Sequence, residues 1–349
     1  KFSNASSPAL WRFVNCRNVF VKNLTVEGFN SVYPNSSAVG CVFDLVGCTN
    51  FVFFGCGFDR NGGCVLSAMK NGALPCNLIW CNECRFVDDN SEFTYLGIRH
   101  AGHTRFAGTA YFSHAENCSI TNSQFAGVFM PILEINGTNN DFAHNFFGEA
   151  RNNCVSIHGS TGAGVAVFSN QFIRCGNPLP SNEELATTGP TFWFSNTAHE
   201  SGWNGSPAVL QFPGMSGGIA QGNRLGGTST PKLLGGIYMF DNYVHVHGVD
   251  AGVDIITTVG LQLGDRAFSR FVAAGNEWVL EGTGTRTAAV VRHFETGGTT
   301  VHLANNLKAI EWEDNILAWD RVDDKTVFFG MRSMTSAEFS AMLAAAKTV

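Results

Sequence analysis

A short pattern of alternating apolar and polar positions recurs along most of the chain. Each copy has apolar residues two positions apart, then a small or amide residue, one variable position and a final apolar residue, as in Phe51-Val-Phe-Phe-Gly-Cys56-Gly-Phe58. The clear copies span residues 51–58, 118–125, 167–172, 219–225, 237–244, 271–278 and 310–317. Side chains on a strand alternate between its two faces, so this pattern predicts β-strands. Asn tolerates the left-handed backbone region, so the amide position predicts a sharp turn.

The spacing of the copies predicts how the strands are arranged. With three weaker copies included, the final apolar residues fall at 26, 58, 86, 125, 147, 172, 225, 244, 278 and 317. Repeats of about 20 to 50 residues are typical of solenoids, whose coils stack on one another. Stacked turns would let Asn side chains hydrogen-bond to each other along the axis. An antiparallel sandwich is the alternative, but the hairpin dipeptides that it requires are sporadic here.

One segment carries a resemblance to a known superfamily. Residues 13–26, Phe-Val-Asn-Cys-Arg-Asn-Val-Phe-Val-Lys-Asn-Leu-Thr-Val, are similar to a coil of the pectin-lyase-like proteins. The resemblance covers roughly residues 10–320 and implies an all-β, right-handed parallel β-helix whose Asn turn joins the second and third strands of each coil. It also implies that an active site would lie on the outer face of the first strand. It does not specify the chemistry, because the superfamily includes hydrolases, lyases, epimerases and inert adhesins.

Breaks in the repeat predict the domain organisation. We expect the β-helix over residues 1–317, with loop insertions at about 87–108 and 173–207 that could wall a binding site. Residues 318–349 are expected to form a C-terminal capping or oligomerisation segment. There, Thr335-Ser-Ala-Glu338 is a helix-capping pattern ahead of an apolar run, which predicts a short C-terminal helix.

Composition and cysteine usage narrow the possible functions. Charged residues make up 14% of the chain and the net charge is −6, so we expect no nucleic-acid partner. No apolar run approaches the roughly 20 residues that span a membrane, so no membrane insertion is expected. All 11 cysteines fall between Cys16 and Cys175, which favours buried thiols and folding in a reducing cytoplasm. Cys81 and Cys84 have the spacing of half a zinc site, but no second half follows, so no metal or other cofactor is expected.

Aligning the predicted first strands on their closing glycines predicts which side chains face outward. One outward column then contains Asp44, Tyr111, Glu134, Ser156 and Gln211. A second outward column contains Val46, Ser113, Asn136, His158 and Pro213.

Glu134 is the strongest candidate for a catalytic residue. A carboxylate in the otherwise apolar stretch 130–136 could act as general acid or base in glycoside cleavage, although it could instead only solvate the outer face. Tyr111 and His158 are expected to flank it as further catalytic groups. Glu149 is the first candidate for the second carboxylate that a glycosidase needs, with a solvated loop acid as the alternative.

Further residues are candidates for substrate binding. Arginines could neutralise uronate carboxylates, tryptophans could stack against sugar rings, and polar groups on the outer columns could bind hydroxyls. The substrate-binding candidates are Asp44, Ser156, Asn136, Arg151, Arg99, Trp193, Trp203 and Gln211. Trp193 has an alternative interpretation as a core residue of its loop.

The low charge, the thiols and the distinct C-terminal segment resemble bacteriophage tailspike depolymerases. This resemblance implies a homotrimer on the virion tail, or otherwise outside the cell, that binds and cleaves a bacterial surface polysaccharide. The expected activity is that of an endo-glycoside hydrolase. A polysaccharide lyase acting on a uronic acid, and a non-catalytic glycan-binding adhesin, are the alternatives.

Overall fold

The computed structural model describes most of the N-terminal half of the chain and parts of the rest. The described residues are 9–29, 41–61, 64–87, 108–128, 130–150, 154–160, 164–175, 181–182, 191–201, 237–248, 259–263, 271–282, 289–293, 310–319, 326–329, 333–334, 341 and 344–345.

Strands, numbered in chain order, form three long sheets. Sheet A contains β1 (Ala9–Val14), β4 (Cys41–Val46), β7 (Cys64–Met69), β10 (Gly108–Ser113), β13 (Met130–Gly137), β16 (Val155–Ser160) and β19 (Ser181–Asn182). Sheet B contains β2 (Arg17–Lys22), β5 (Thr49–Phe54), β8 (Asn77–Asn82), β11 (Ser119–Thr121), β14 (Asp141–Ala143), β17 (Val165–Phe168), β20 (Thr191–Phe194), β22 (Ile237–Phe240), β25 (Phe271–Ala274) and β28 (Ile310–Glu313). Sheet C contains β3 (Thr25–Glu27), β6 (Gly57–Asp59), β9 (Arg85–Val87), β12 (Gln124–Ala126), β15 (Phe146–Gly148), β18 (Gln171–Ile173), β21 (Thr197–Ser201), β23 (Tyr243–Gly248), β26 (Glu277–Gly282) and β29 (Ile316–Trp319).

The order of these strands defines a parallel β-helix. The chain visits sheets A, B and C in turn, and each new strand pairs in parallel with the equivalent strand of the preceding coil. Crossovers between parallel strands are right-handed almost without exception. The predicted right-handed parallel β-helix is therefore confirmed.

A smaller fourth sheet follows in the C-terminal part. It contains β24 (Val259–Leu263), β27 (Ala289–His293), β30 (Thr326–Phe329) and β31 (Ser333–Met334). The first three strands pair in parallel, and each follows a strand of sheet C, as the strands of sheet A do in the earlier coils. By contrast, β31 is antiparallel to β30. Residues 341, 344 and 345, where the short helix is predicted, are helical. Among the described residues, no helix has the length and apolar character needed to cross a membrane.

The turn between sheets B and C contains the predicted ladder of amide side chains. Its members are Asn145, Asn170, Asn196, Asn242, Asn276 and Asn315. In one representative step, Asn196 Nδ2 donates to Asn242 Oδ1 at 3.0 Å and to the Val167 carbonyl at 2.8 Å. Such bonds satisfy buried polar groups that would otherwise destabilise the interior.

The sequence pattern predicts that the ladder Asn itself adopts the left-handed backbone conformation. In the structure, the residue before it does so instead. Ser169, Ser195 and Asp241 have φ angles of 53°, 54° and 51°, and Gly275 has a φ of 65°. The ladder Asn thus contributes its side chain to the turn, while its neighbour supplies the unusual backbone conformation.

Aromatic rings fill the core behind sheet C. The final apolar residues of the repeat form one inward column in which Phe58, Phe86, Phe125, Phe147 and Phe172 stack, with successive ring centroids 5.1, 4.5, 5.1 and 4.8 Å apart. All five rings are buried. Each stacked pair adds to the stability that the burial of its area provides.

The cysteines match their predicted role. All 11 lie within the described residues, none forms a disulfide, and all but Cys16 are buried. Burial raises the pKa of thiols such as Cys76, to about 11, because the thiolate loses its hydration. These cysteines therefore act as small apolar core residues.

One stretch of the second predicted insertion is a regular coil instead. Residues 191–201 form β20 and β21, which pair in register with β17 and β18. Trp193 lies in the segment Trp193-Phe-Ser-Asn196-Thr-Ala198, which matches the repeat pattern of the other coils. The remaining domain boundaries stay predictions.

Candidate functional site

The register of sheet A determines which residues face outward from the coils. Arg12 pairs with Asp44, Asp44 with Ser67, Ser67 with Tyr111, and Tyr111 with Leu133. Residues paired across parallel strands lie about 4.8 Å apart and on the same face. The outward column is therefore polar over β1, β4, β7 and β10 and apolar at β13.

The predicted outward position of Glu134 is wrong. Glu134 pairs with Phe112 and Ile157, two core residues, and its exposed fraction is 0%. Aligning the strands on glycines matches Gly137 with Gly47, but Asn136 occupies the left-handed turn position, with φ 52° against 62° for Gly47. This shift of one residue moves the side chains of the strand to the opposite face.

Glu134 is a buried acid within the core. Burial raises its pKa to about 8, while the neighbouring Asn140 amide and the backbone of Gly137 oppose the shift. Neither carboxyl oxygen has a hydrogen-bond partner of normal geometry among the described residues. Because the ionised form loses its hydration there, Glu134 is protonated at neutral pH and has no contact with a substrate on the outer face.

Asp44 is the carboxylate that does face outward in sheet A. Its Oδ2 lies 3.3 Å from Arg12 Nε, and its exposed fraction is 5%. Burial raises its pKa, and both the Arg12 charge and the Ser67 hydroxyl oppose that shift. Oδ1 is buried without a hydrogen-bond partner in the described part of the chain. Asp44 is therefore a shielded acid with one buried oxygen that no described group hydrogen-bonds.

A chain of hydrogen bonds continues from this column to the carboxyl ends of β10 and β13. The Tyr111 phenol interacts with the Ser113 hydroxyl, and Ser113 Oγ lies 3.1 Å from His114 Nδ1. His114 Nε2 lies 3.4 Å from Asn136 Nδ2 in the next coil. Burial raises the pKa of Tyr111, so the phenol stays protonated. Ser113, His114 and Asn136 are half-buried, whereas Tyr111 is buried.

The other predicted site residues are scattered over the molecule. Ser156 faces outward beside Leu133 but is fully buried. The backbone of His158 pairs with Ile135 in β16. Glu149 lies on an exposed turn after sheet C, 3.9 Å from Arg174. Trp193 faces the core, with an exposed fraction of 2%, as its alternative interpretation stated.

Four candidates lie outside the described residues: Arg99, Arg151, Trp203 and Gln211. Conversely, Arg12, Ser67 and His114 belong to the outer-face cluster but were not predicted as site residues. Treating His114 and Asn136 as turn residues equivalent to Gly47 would have given the correct register. No group of three His, Cys, Asp or Glu side chains that could bind a metal occurs in the described part of the chain.

Comparisons with known proteins give matches only among solved structures. No protein-family profile matches the chain. No curated protein matches it either. The chain is similar to a mutant of DFA-IIIase from Arthrobacter chlorophenolicus A6, alone and in complex with DFA-III, with 13% identity, a TM-score of 0.41, and coverage of 96% of this chain and 76% of that chain. A DFA-IIIase structure from the same organism without its lid gives 12% identity, a TM-score of 0.38, and coverage of 89% and 86%. Similarity at this level transfers neither activity nor substrate.

Proposed function

We propose that this chain is a polysaccharide-cleaving β-helix enzyme, an endo-glycoside hydrolase, that binds its substrate along the outer face of sheet A. The observation that supports this most is the polar outward column of β1, β4, β7 and β10, with a shielded carboxyl at Asp44. Three strand spacings separate Arg12 from Tyr111, about 14 Å at 4.8 Å each. This length suits a short stretch of a linear glycan.

Asp44 is the proposed general acid. A catalytic acid works best when its pKa lies near the working pH, and burial raises the pKa of Asp44 in that direction. Arg12 holds Oδ2, and the buried Oδ1, which no described group hydrogen-bonds, is the oxygen proposed to protonate the glycosidic oxygen once the glycan displaces the groups that cover it. Arg12, whose side chain is 57% exposed, would bind sugar oxygens beside Asp44.

Glycoside hydrolysis also requires a second carboxylate, about 5 to 9.5 Å from the first. Within the described residues, the outward column of sheet A holds only Asp44 as an acid. Hydrolysis therefore needs a second acid from the rest of the chain, and Asp88, Asp89 and Glu92 in the first predicted insertion are the proposed sources.

We extend the proposal to the biological setting suggested by the sequence. A tailspike-like homotrimer that binds bacterial surface polysaccharide fits a β-helix whose described cysteines form no disulfide, since we propose that such a chain folds in a reducing cytoplasm. Light scattering of the purified protein tests the trimer directly.

The activity is tested with purified protein and a panel of bacterial surface polysaccharides. Hydrolysis releases reducing ends without an unsaturated product, and we expect Asp44→Asn to slow this release at least 100-fold, near the lower end of acid–base effects. Asp59→Asn is the matched control, because Asp59 is a carboxylate on the exposed side of sheet C.

Other results would assign a different function. Reducing ends with ultraviolet absorbance from an unsaturated product indicate a lyase. Binding without cleavage across the panel indicates an adhesin. Full activity of Asp44→Asn removes Asp44 as the acid.

A further inference from the structure

Ser113, His114 and Asn136 form a compact polar group at the carboxyl ends of β10 and β13 in sheet A. Ser113 Oγ is 3.1 Å from His114 Nδ1, and the other ring nitrogen is 3.4 Å from the Asn136 amide. All three residues are half-buried, so part of each is exposed to solvent, in contrast to Glu134. A hydroxyl, an imidazole and a third polar group in series make up the arrangement that activates a serine nucleophile.

Backbone geometry holds the three side chains together. Ser113 is the last residue of β10, and its backbone pairs with Ile135 of β13. His114 and Asn136 follow these residues at the same turn position, with φ angles of 54° and 52°. His114 also donates its backbone N–H to the Ile135 carbonyl at 2.8 Å. The imidazole therefore lies between the hydroxyl of its own coil and the amide of the next.

We propose that Ser113 is the nucleophile of an acyl-transfer site, with His114 as its general base and Asn136 as the residue that orients the imidazole. The substrate class is an O-acyl ester, such as an acetylated hydroxyl of a glycan bound along the outer face of sheet A. This activity removes ester groups, and is separate from glycosidic cleavage at Asp44.

The charges around His114 favour its role as a base. Burial and the positive charge of Lys70, in the preceding coil, both lower the pKa of His114. The imidazole is therefore neutral near pH 7 and can accept a proton. Lys70 is exposed, and it could also stabilise the negative oxygen of a tetrahedral intermediate. Tyr111, which interacts with Ser113, supplies a protonated phenol for the same purpose.

The active tautomer has its proton on Nε2 and a lone pair on Nδ1 facing Ser113. Asn136 Nδ2 faces Nε2 in the structure, and turning the amide by 180° puts Oδ1 there instead, where it accepts a hydrogen bond from the Nε2–H; the two groups are nearly equal in size. Asn136 then fixes the ring in the orientation that the serine requires.

Each step of the reaction conserves atoms and charge. Ser113 Oγ attacks the acyl carbon while its proton passes to His114 Nδ1. The acyl C–O bond to the sugar breaks, and the leaving oxygen takes that proton, which leaves an acyl-serine. Water then attacks the acyl-serine and gives a proton to Nδ1. Ser113 recovers this proton as the carboxylic acid departs.

Covalent labelling tests the nucleophile in the wild-type protein. A fluorophosphonate probe should form an O–P bond to Ser113, with loss of fluoride and transfer of the hydroxyl proton to His114. Peptide mass spectrometry of the folded, full-length chain should locate the adduct on Ser113. This result does not depend on whether any variant folds.

Ester hydrolysis tests the activity, with p-nitrophenyl acetate and acetate release from an O-acetylated glycan as the two assays. Ser113→Ala should fall to the background rate, and His114→Asn should lose at least about 100-fold. Ser119→Ala and His144→Asn are the matched controls, because Ser119 is a half-buried strand serine and His144 a left-handed turn histidine elsewhere in the coils. Both should keep the wild-type rate.

A pH profile separates the role of Asn136 from a merely structural one. Activity should rise with pH as His114 loses its proton. Asn136→Asp adds a negative charge beside the imidazole, which raises the pKa of His114 and moves this rise to higher pH. If Asn136→Asp lowers the rate without shifting the pH profile, Asn136 has only a structural role and does not orient His114.

The acyl-transfer proposal is overturned if wild type and Ser113→Ala hydrolyse the esters equally and the probe does not label Ser113. Glycan cleavage is measured separately, by reducing ends. Its absence with intact ester hydrolysis would reject only the hydrolase function, and the reverse result would reject only the acyl-transfer site.

Discussion

Replacing Glu134 with Gln should make the protein more resistant to unfolding as the pH rises. The carboxyl group of Glu134 is fully buried between core residues, and burial raises its pKa from 4.5 to about 8. In the unfolded chain the group ionises near its ordinary pKa, so between these two values folding takes up a proton. The stability that this proton uptake contributes is therefore fully present below about pH 4.5 and is lost as the pH rises towards 8.

The size of this effect follows from the pKa difference. A gap of about 3.5 units at 1.36 kcal/mol per unit corresponds to about 5 kcal/mol, of which roughly 3 to 4 kcal/mol falls between pH 5 and pH 8. Gln has nearly the same shape and does not ionise. The variant should therefore match the wild type near pH 5 and exceed its stability by several kcal/mol at pH 8.

Urea unfolding followed by tryptophan fluorescence at pH 5, 6, 7 and 8 measures this difference. Refolding from urea establishes whether the transitions are reversible, which a chain of stacked coils does not guarantee. Glu149→Gln is the matched control, because its side chain is 69% exposed and pairs only weakly with Arg174. Its stability should vary with pH as the wild type does.

Parallel pH dependence in wild type and Glu134→Gln would refute the buried-acid interpretation. A carbonyl band of protonated carboxylic acid in the infrared spectrum at pH 7, absent from the variant, provides an independent check of the same state.

Three further substitutions test the interactions that stabilise the coils: the aromatic column, the amide ladder and a tight turn. Phe125→Ala should cost about 3 to 5 kcal/mol, because it removes a fully buried ring from the middle of the aromatic column. Asn196→Ala should cost about 2 to 3 kcal/mol, since it removes several ladder hydrogen bonds and takes the Asn196 Oδ1 acceptor from the buried Asn170 N–H. Gly55→Ala should cost about 1 to 2 kcal/mol, because the φ of Gly55 is 61° and an added Cβ would meet Asn23 Oδ1 at 2.7 Å.

Urea midpoints and thermal unfolding measure all three changes. Phe20→Ala is the control for the aromatic column, because its ring is 61% exposed, and its effect should stay within about 0.5 kcal/mol. If Phe125→Ala cost no more than Phe20→Ala, the stacked rings would not support the core. Wild-type stability of Asn196→Ala would show that the ladder is dispensable, and the same result for Gly55→Ala would show that the turn can change shape.

Much of the fold could be predicted from local pattern. The alternation in 51–58 and its repeats indicated strands, and their spacing indicated stacked coils. The final apolar residues, such as Phe86 and Phe125, form one inward column because equivalent positions of equivalent coils must stack. For the same reason, amides at equivalent turn positions, such as Asn242, stack along the axis of the β-helix. A repeat encodes these features many times, so one irregular copy does not obscure them.

The candidate site depended on information that no single strand contains. Alternation shows that Leu133 and Glu134 face opposite ways, but not which of them faces outward. That choice depends on pairing with Tyr111 and Phe112 in the preceding coil.

The sequence by itself thus determined a β-helix with an amide ladder, a final apolar residue in each repeat and buried thiols. Only the tertiary structure decided that Asn136, and not Gly137, occupies the left-handed turn position equivalent to Gly47, which sends Glu134 into the core. The physical reason is that side chains alternate with a period of two, so a register change of one residue exchanges the inner and outer faces. The same register brings Asp44 beside Arg12 and His114 beside Asn136, across coils that are distant in sequence.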